Sequence, residues 1–233
     1  MELYFKHHDT LNISTINSLN YAVTPNLRYE NSLCHEYDII KKINENKDGF
    51  FDFSKNLIDI GPEDGGYSIL CNFKNSFCFE PNKEMCCLIY TNMYLKSKVN
   101  NVFVYNTFLS DKRETINFDG FEGEGTVNFG KPQWRKGEIT QIKTTLLDDY
   151  NINNVGLLKI DTEGYDYFVL NGAINTIINN NYPPILFENW NIGQYGWSKE
   201  SHDQLNNLII SLGYTIFEKW GSDDTHLAIK LNK

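Results

Sequence analysis

A doubly wound α/β fold is predicted, with a Rossmann-like, mostly parallel sheet of seven strands and an antiparallel strand at its C-terminal edge. Three observations predict it. Short apolar runs alternate with helical patterns along the chain. Four of those runs carry an acid at or next to the carboxyl end: Asp59, Glu80, Asp161 and Glu188. The first run opens into a turn with glycines at 61, 65 and 66 that feeds a helical pattern. A strand, glycine turn and helix in that order form the usual nucleotide-like ligand site of an α/β sheet, outside the carboxyl ends of the strands.

Residues 1–50 show weak periodicity. Within them Glu36 to Ile43 (EYDIIKKI) reads as an amphipathic helix, and the segment is expected to form a helical cover over the edge of the site or the sheet. Asn56 to Ile60 (NLIDI) is the first buried strand, with GYSILCNF as the helix after the turn. Ser76 to Glu80 is the second strand. Pro81 suits the first turn of the next helix, whose body is Lys83 to Tyr94. Asn101 to Thr107 is the third strand, and Glu114 to Phe118 reads as an added one. Residues 119–138 are glycine-rich and polar, and an insertion of that kind in a compact domain is expected to be a substrate lid. Val155 to Asp161 is the fourth strand, followed by a helix through 165–180. Pro184 to Glu188 is the fifth. After the loop NWNIGQYGWS comes a helix at about 199–212. The runs YTIFEKW and THLAIKL close the chain as an antiparallel pair at one sheet edge. All 233 residues are read as one domain.

Composition narrows the function. The net charge is -9, from 30 acidic and 21 basic residues, which counts against a general nucleic-acid binder. The five cysteines form no CxxC pair, and Cys71, Cys78 and Cys87 lie in apolar runs, so they read as small core residues in a reducing compartment. The start, MELYFKHHDT, has no apolar h-region, and no 18-residue apolar run occurs. No signal peptide and no membrane partner are expected, and the expected location is cytoplasmic. Nothing in the sequence sets the oligomeric state.

Glu80 follows Asp59 by the spacing at which an acid on the second strand accepts the ribose hydroxyls of a bound nucleoside. NAD and S-adenosylmethionine both offer that ribose. The turn separates them. A dinucleotide fingerprint is GxGxxG, and Glu63 falls inside the corresponding stretch, where a carboxylate repels a pyrophosphate. S-adenosylmethionine carries no phosphate, and its sulfonium and ammonium tolerate an acidic turn. The plainer readings are that Asp59 is a turn carboxylate and that Glu80 is a helix N-terminal charge beside Pro81. Both acids at the right spacing and at strand ends favour the cofactor.

IDIGPEDGGYS, CFEPNKEMCCLIYTN, VYNTFLSD, LLKIDTEGYDYFVLNGA and ILFEN, in that order and spacing, resemble the FkbM-type methyltransferase family over roughly residues 50–190. The most discriminating piece is KIDTEG with VLNGA after it. The chain departs from the family at Pro62-Glu63, where Ala-Asn is usual, and its last 40 or so residues carry no specified match. The resemblance implies a class I methyltransferase fold that uses S-adenosylmethionine, and O-methylation of sugar-like or polyketide hydroxyls. It implies cofactor roles for Asp59, Gly61, Gly65, Glu80 and the turn Phe108-Leu109-Ser110. The glycine turn and the strand ends add Glu63, Tyr67, Pro81, Asn82 and Asp161 as cofactor candidates.

Methyl transfer to oxygen needs an aligned acceptor whose proton leaves with help from a base or a cation. Asp161 is the first candidate base, with Glu188 beside it. Asp161, Glu188 and Asn189 resemble the oxygen-ligand set that catechol-type O-methyltransferases use for magnesium, so Mg²⁺ or Mn²⁺ is a candidate cofactor. The plainer reading is that Asp161 caps the next helix and Glu188-Asn189 orders its loop. His226 is the alternative base. Trp134 and Arg135 in the insertion, and Trp190 and Tyr195 after the fifth strand, are candidate contacts to a small carbohydrate-like acceptor, free or nucleotide-linked. The same aromatics equally serve to anchor their loops. The competing classes are a methyltransferase acting on nucleic acid, protein or another metabolite, a non-catalytic Rossmann-like binding module, and an NAD-linked oxidoreductase, which Glu63 disfavours.

Overall fold

The computed structural model describes residues 12–16, 19–23, 32–98, 101–119, 126–127, 139–194, 197–222 and 224–231. Strands β1 (Asn12–Ile16) and β2 (Leu19–Val23) pair as an antiparallel hairpin that the weak N-terminal periodicity does not announce. Helix α1 (Ser32–Glu45) follows. Then come β3 (Asn56–Ile60), α2 (Gly66–Leu70), β4 (Ser76–Phe79), α3 (Lys83–Leu95) and β5 (Val102–Tyr105). A small group of strands intervenes: β6 (Phe108–Leu109), β7 (Thr115–Asp119), β8 (Thr126–Val127) and β9 (Ile139–Thr145). The chain resumes the main sheet with β10 (Val155–Ile160), α4 (Asp166–Asn171), α5 (Ile174–Asn179), β11 (Ile185–Glu188), α6 (Lys199–Ser211), β12 (Thr215–Phe217) and β13 (Thr225–Ile229).

The main sheet has the order β12-β13-β11-β10-β3-β4-β5. The pairs β11-β10, β10-β3, β3-β4 and β4-β5 are parallel. The final strand, β13, runs antiparallel to both β11 and β12. The C-terminal pair therefore closes one edge, with β12 on the rim and β13 one place in. The added strand expected near 114–118 is present as β7, and it belongs to a second sheet of order β6-β9-β7-β8.

Period-two alternation assigns the two faces. Ile58, Ile60, Leu158, Ile160, Ile185 and Phe187 face Val169, Leu170, Ile177, Leu205 and Ile209 of α4, α5 and α6. Leu57, Leu157, Leu186, Leu227 and Ile229 face Ile39, Ile40 and Ile43 of α1. Burial on both faces explains why the central strands read as nearly unbroken apolar runs.

Two of the predicted helices are cut short or broken. The helix after the glycine turn has only five residues, Gly66–Leu70. The predicted helix over 165–180 is two helices, broken at Gly172. A Cβ at Gly172 would lie 2.0 Å from the carbonyl oxygen of Ser110, so the 108–110 segment is pressed against the backbone there. Helices α3 and α6 begin as their polar caps indicate. The Asn82 side chain accepts the Glu84 N–H, and the Ser198 hydroxyl accepts the Ser201 N–H. Among the described residues no helix is long and apolar enough to cross a membrane.

Candidate active site

The carboxyl ends of β3, β4 and β10 meet along one edge of the parallel sheet, and the turn after β3 is built for a close approach. Gly61 has φ +68, and a Cβ there would lie 1.7 Å from the carbonyl oxygen of Asp161. No other residue fits without moving the end of β10. Glu63 and Gly65 also take left-handed φ, at +51 and +86. Buried Asp64 closes the turn by accepting the Gly66 N–H at 3.0 Å, and its carbonyl accepts the Asn92 amide.

This turn forms one wall of a cleft with about 720 Å³ of empty space, open solvent at its mouth included. Gly61, Glu63, Glu80, Pro81, Phe108, Leu109 and Asp161 line it, with Ile60, Phe79, Thr107, Thr162, Glu163 and Val169. Glu80 is 5% exposed. Its Oε1 accepts the Asn82 N–H at 2.7 Å, and the Glu63 N–H also donates to this carboxylate. Burial, outweighing those bonds, pushes the Glu80 carboxyl up to about 8.

A second cleft, with about 590 Å³ of empty space, adjoins the first at Asp161. Its wall includes Ile39, Tyr67, Lys159, Glu188, Ser222, Asp224 and Thr225. Glu188 is held well above the ordinary carboxylate range by burial, and then by the charges of Asp161, Glu163 and Asp166. Its Oε2 has no hydrogen-bond partner among the described residues. Asp166, in the first turn of α4, is raised to about 7 by burial and by Asp161, and accepts the Thr162 hydroxyl.

A family model, the methyltransferase FkbM domain, matches residues 59–216, about two thirds of the chain and all of the residues named above as lining the first cleft. The chain belongs to the FkbM methyltransferase family. An FkbM methyltransferase from Methylobacillus flagellatus KT is similar in structure, with a TM-score of 0.56 at 18% identity. That match covers 83% of this chain and 49% of the other, so the chain spans about half the length of that relative. Trm5b from Pyrococcus abyssi is similar with a TM-score of 0.50 at 15% identity, over 94% of this chain and 55% of the other. These likenesses establish the fold. A search of the curated proteins finds no match to this chain.

Within this FkbM fold the expected cofactor residues divide. Gly61, Glu63, Glu80, Pro81, Phe108, Leu109 and Asp161 line the first cleft, while Tyr67 lines the second. Asp59, Gly65, Asn82 and Ser110 line neither. Asp59 is fully buried beneath the turn, where its Oδ2 accepts the Ser68 hydroxyl at 2.7 Å. Alternation explains the difference: Asp59 shares a face with Leu57, under α2, while Ile60 and Gly61 reach the crevice. Gly65 packs against Ile69 and Ile89, Asn82 caps α3, and Ser110 is buried within hydrogen-bond distance of the Tyr165 hydroxyl.

Of the expected Mg²⁺ or Mn²⁺ set, Asp161 and Glu188 both line the second cleft, and Asn189 does not. The Asn189 side chain is committed on both ends, with Oδ1 accepting the Trp197 indole N–H at 3.0 Å and Nδ2 donating to the Asn206 side chain at 3.1 Å. No group of three or more His, Cys, Asp or Glu among the described residues could hold a metal ion. His226 is likewise removed as a base. Its Nδ1 accepts the Lys219 N–H, which leaves Nε2 to donate to the Asn189 carbonyl, and burial lowers its pKa. The ring lies tilted against Phe187, in a structural role. Trp190 is also structural. Its ring and that of Trp197 would each lie 3.1 Å from a Cβ at Gly164, so it backs the turn after β10 and lines neither cleft. Trp134, Arg135 and Tyr195, with nearly all of the expected lid, lie outside the described residues.

Lys159, Thr162 and Glu163 were not singled out from the sequence as site residues. The signal for Lys159 was a lone cation inside an otherwise apolar central strand, which is costly unless it is paired.

Proposed function

We propose that this protein is an S-adenosylmethionine-dependent O-methyltransferase acting on a hydroxyl of a small carbohydrate-like acceptor. The observation that carries the cofactor part is the buried Glu80 carboxylate, held by two backbone N–H groups, one of them from Glu63 in the glycine turn, at the wall of the first cleft. A carboxylate in that place accepts two ribose hydroxyls. Three further acids, Glu63, Asp161 and Glu163, line the same cleft. They suit a ligand bearing a sulfonium and an ammonium, and they disfavour a pyrophosphate.

Bound there, S-adenosylmethionine supplies an electrophilic methyl group. The chain has to hold the acceptor oxygen in line with that methyl and remove its proton. Asp161 is the assigned base because, among the acids of the described residues, it alone lines both clefts. With Asp161 at the junction, the second cleft is the acceptor side. Its hydrogen-bonding groups, Glu188, Ser222, Asp224 and Thr225, suit a neutral polyhydroxylated acceptor.

Transfer of a labelled methyl group across a panel of neutral sugars, nucleotide sugars, short RNA and protein tests this reading. Methylation of a neutral sugar-like hydroxyl, with kcat reduced about 10²- to 10⁴-fold in Asp161→Asn, is the expected result. Transfer only to RNA or protein contradicts it.

A further inference from the structure

We propose that Lys159 is the positioning residue of this site, fixing the glycine turn and the Asp161 carboxylate together from beneath; the inference rests on the cofactor reading above. Lys159 is Asp59's cross-strand partner between β10 and β3, and it is 3% exposed. Its Nζ donates to the Gly61 carbonyl at 2.6 Å. The same ammonium lies 3.3 Å from Asp161 Oδ2 and 3.6 Å from Asp59 Oδ1, and 5.3 Å from the centre of the Tyr67 ring. One buried cation therefore touches the apex of the turn, the base at the junction of the clefts and the interior carboxylate below both.

The geometry has a direct consequence at the site. Gly61 and Asp161 belong to different strand ends, and both line the cofactor cleft. Holding Asp161 by Oδ2 restricts the rotation of its carboxylate, and holding the Gly61 carbonyl fixes the wall against which the cofactor lies. The closest partners of this ammonium are the Gly61 carbonyl and the Asp161 carboxylate, both at the clefts, while Asp59 Oδ1 lies farthest of the three.

A double-mutant cycle separates the two roles. Binding of S-adenosylhomocysteine is measured by calorimetry at several pH values for wild type, Lys159→Met, Asp59→Asn and the double variant. The Asp59→Asn background removes the buried acid that Lys159→Met leaves unpaired, so the double variant is the one that folds if the single variant does not. The expected result is a tenfold or greater loss of affinity on Lys159→Met in both backgrounds. The acid limb of binding should also move to higher pH, because losing a cation makes the neighbouring carboxylates harder to ionise. Lys159→Arg, which keeps the charge, should restore the pH profile. Wild-type affinity and an unmoved pH profile in the double variant would overturn the proposal and leave Lys159 as Asp59's counter-ion alone. A wild-type protein that fails to bind S-adenosylhomocysteine overturns the cofactor reading instead, and is told apart by that first titration.

Discussion

Gly61 and Asp161 touch backbone to backbone: a single added carbon at residue 61 would stand 1.7 Å from the Asp161 carbonyl oxygen. The same residue has φ +68, a conformation that side chains other than glycine's adopt only under strain. Gly61→Ala should therefore cost on the order of 3 kcal/mol of stability, from clash and strain together. It should also abolish cofactor binding even where the variant remains folded. Denaturant unfolding with parallel calorimetry checks both. Unchanged S-adenosylhomocysteine affinity would show that the contact does not shape the cleft.

The 108–110 segment is set from the opposite side by Gly172, whose missing side chain leaves room for the Ser110 carbonyl. Phe108 and Leu109 line the cofactor cleft. Gly172→Ala should push that wall inward and weaken S-adenosylhomocysteine binding by tenfold or more, with a loss of stability that thermal unfolding registers. The predicted single helix over 165–180 would have tolerated alanine there, so the outcome also tests the break between α4 and α5.

Glu80 couples cofactor binding to protons. Its carboxyl is pushed up to about 8 in the free site, so it is mostly protonated at pH 7. Accepting two ribose hydroxyls requires the ionised form, so binding should release a proton. Affinity should rise between pH 6 and 8 and then level. Titrations at pH 7 in buffers of different ionisation enthalpy measure that proton directly. In Glu80→Gln the proton release should vanish, and affinity should fall by about 1.5–3 kcal/mol, the worth of hydrogen bonds to a charged group.

The same burial has a cost for the free protein. Glu80 at about 8, and Asp64 and Asp166 at about 7, all bind protons more tightly folded than unfolded. The native state then carries more protons than the unfolded state between about pH 4 and 8, so stability should decline as pH rises through that window. Thermal unfolding of the free protein from pH 5 to 8 should show a falling Tm, and saturating S-adenosylhomocysteine should reduce the slope. A Tm that rises over this range contradicts the assigned burial.

His226→Ala should leave cofactor affinity unchanged, because both ring nitrogens are spent on backbone partners away from the clefts. The loss of a buried hydrogen-bonding group should cost about 1–3 kcal/mol. A variant as stable as wild type but without methyl transfer would return His226 to the chemistry.

The alternation of apolar runs with helical patterns, the acids near the strand ends and the FkbM-like segments made the sheet and the first cleft legible before any coordinates. Local patterns carry that kind of information well. Direction on a strand was harder: Asp59 and Glu80 look alike in sequence, yet one faces the interior below α2 and the other faces the cleft. Asn189 and His226 were harder to place because their partners, Trp197, Asn206, Lys219 and the Asn189 carbonyl, come from segments that no motif links. The break at Gly172 depends in the same way on Ser110, 62 residues earlier in the chain. In the N-terminal hairpin β2 alternates at Leu19, Tyr21 and Val23, but β1 has apolar residues only at Ile13 and Ile16, so the pair reads as weak periodicity.

The central claim is that the first cleft holds S-adenosylmethionine, and calorimetric titration of the wild-type protein with S-adenosylhomocysteine and, separately, with NAD tests it most directly. The expected result is saturable binding of S-adenosylhomocysteine that weakens in Glu80→Gln, with no binding of NAD. Binding of NAD in preference, or of neither ligand, would contradict it.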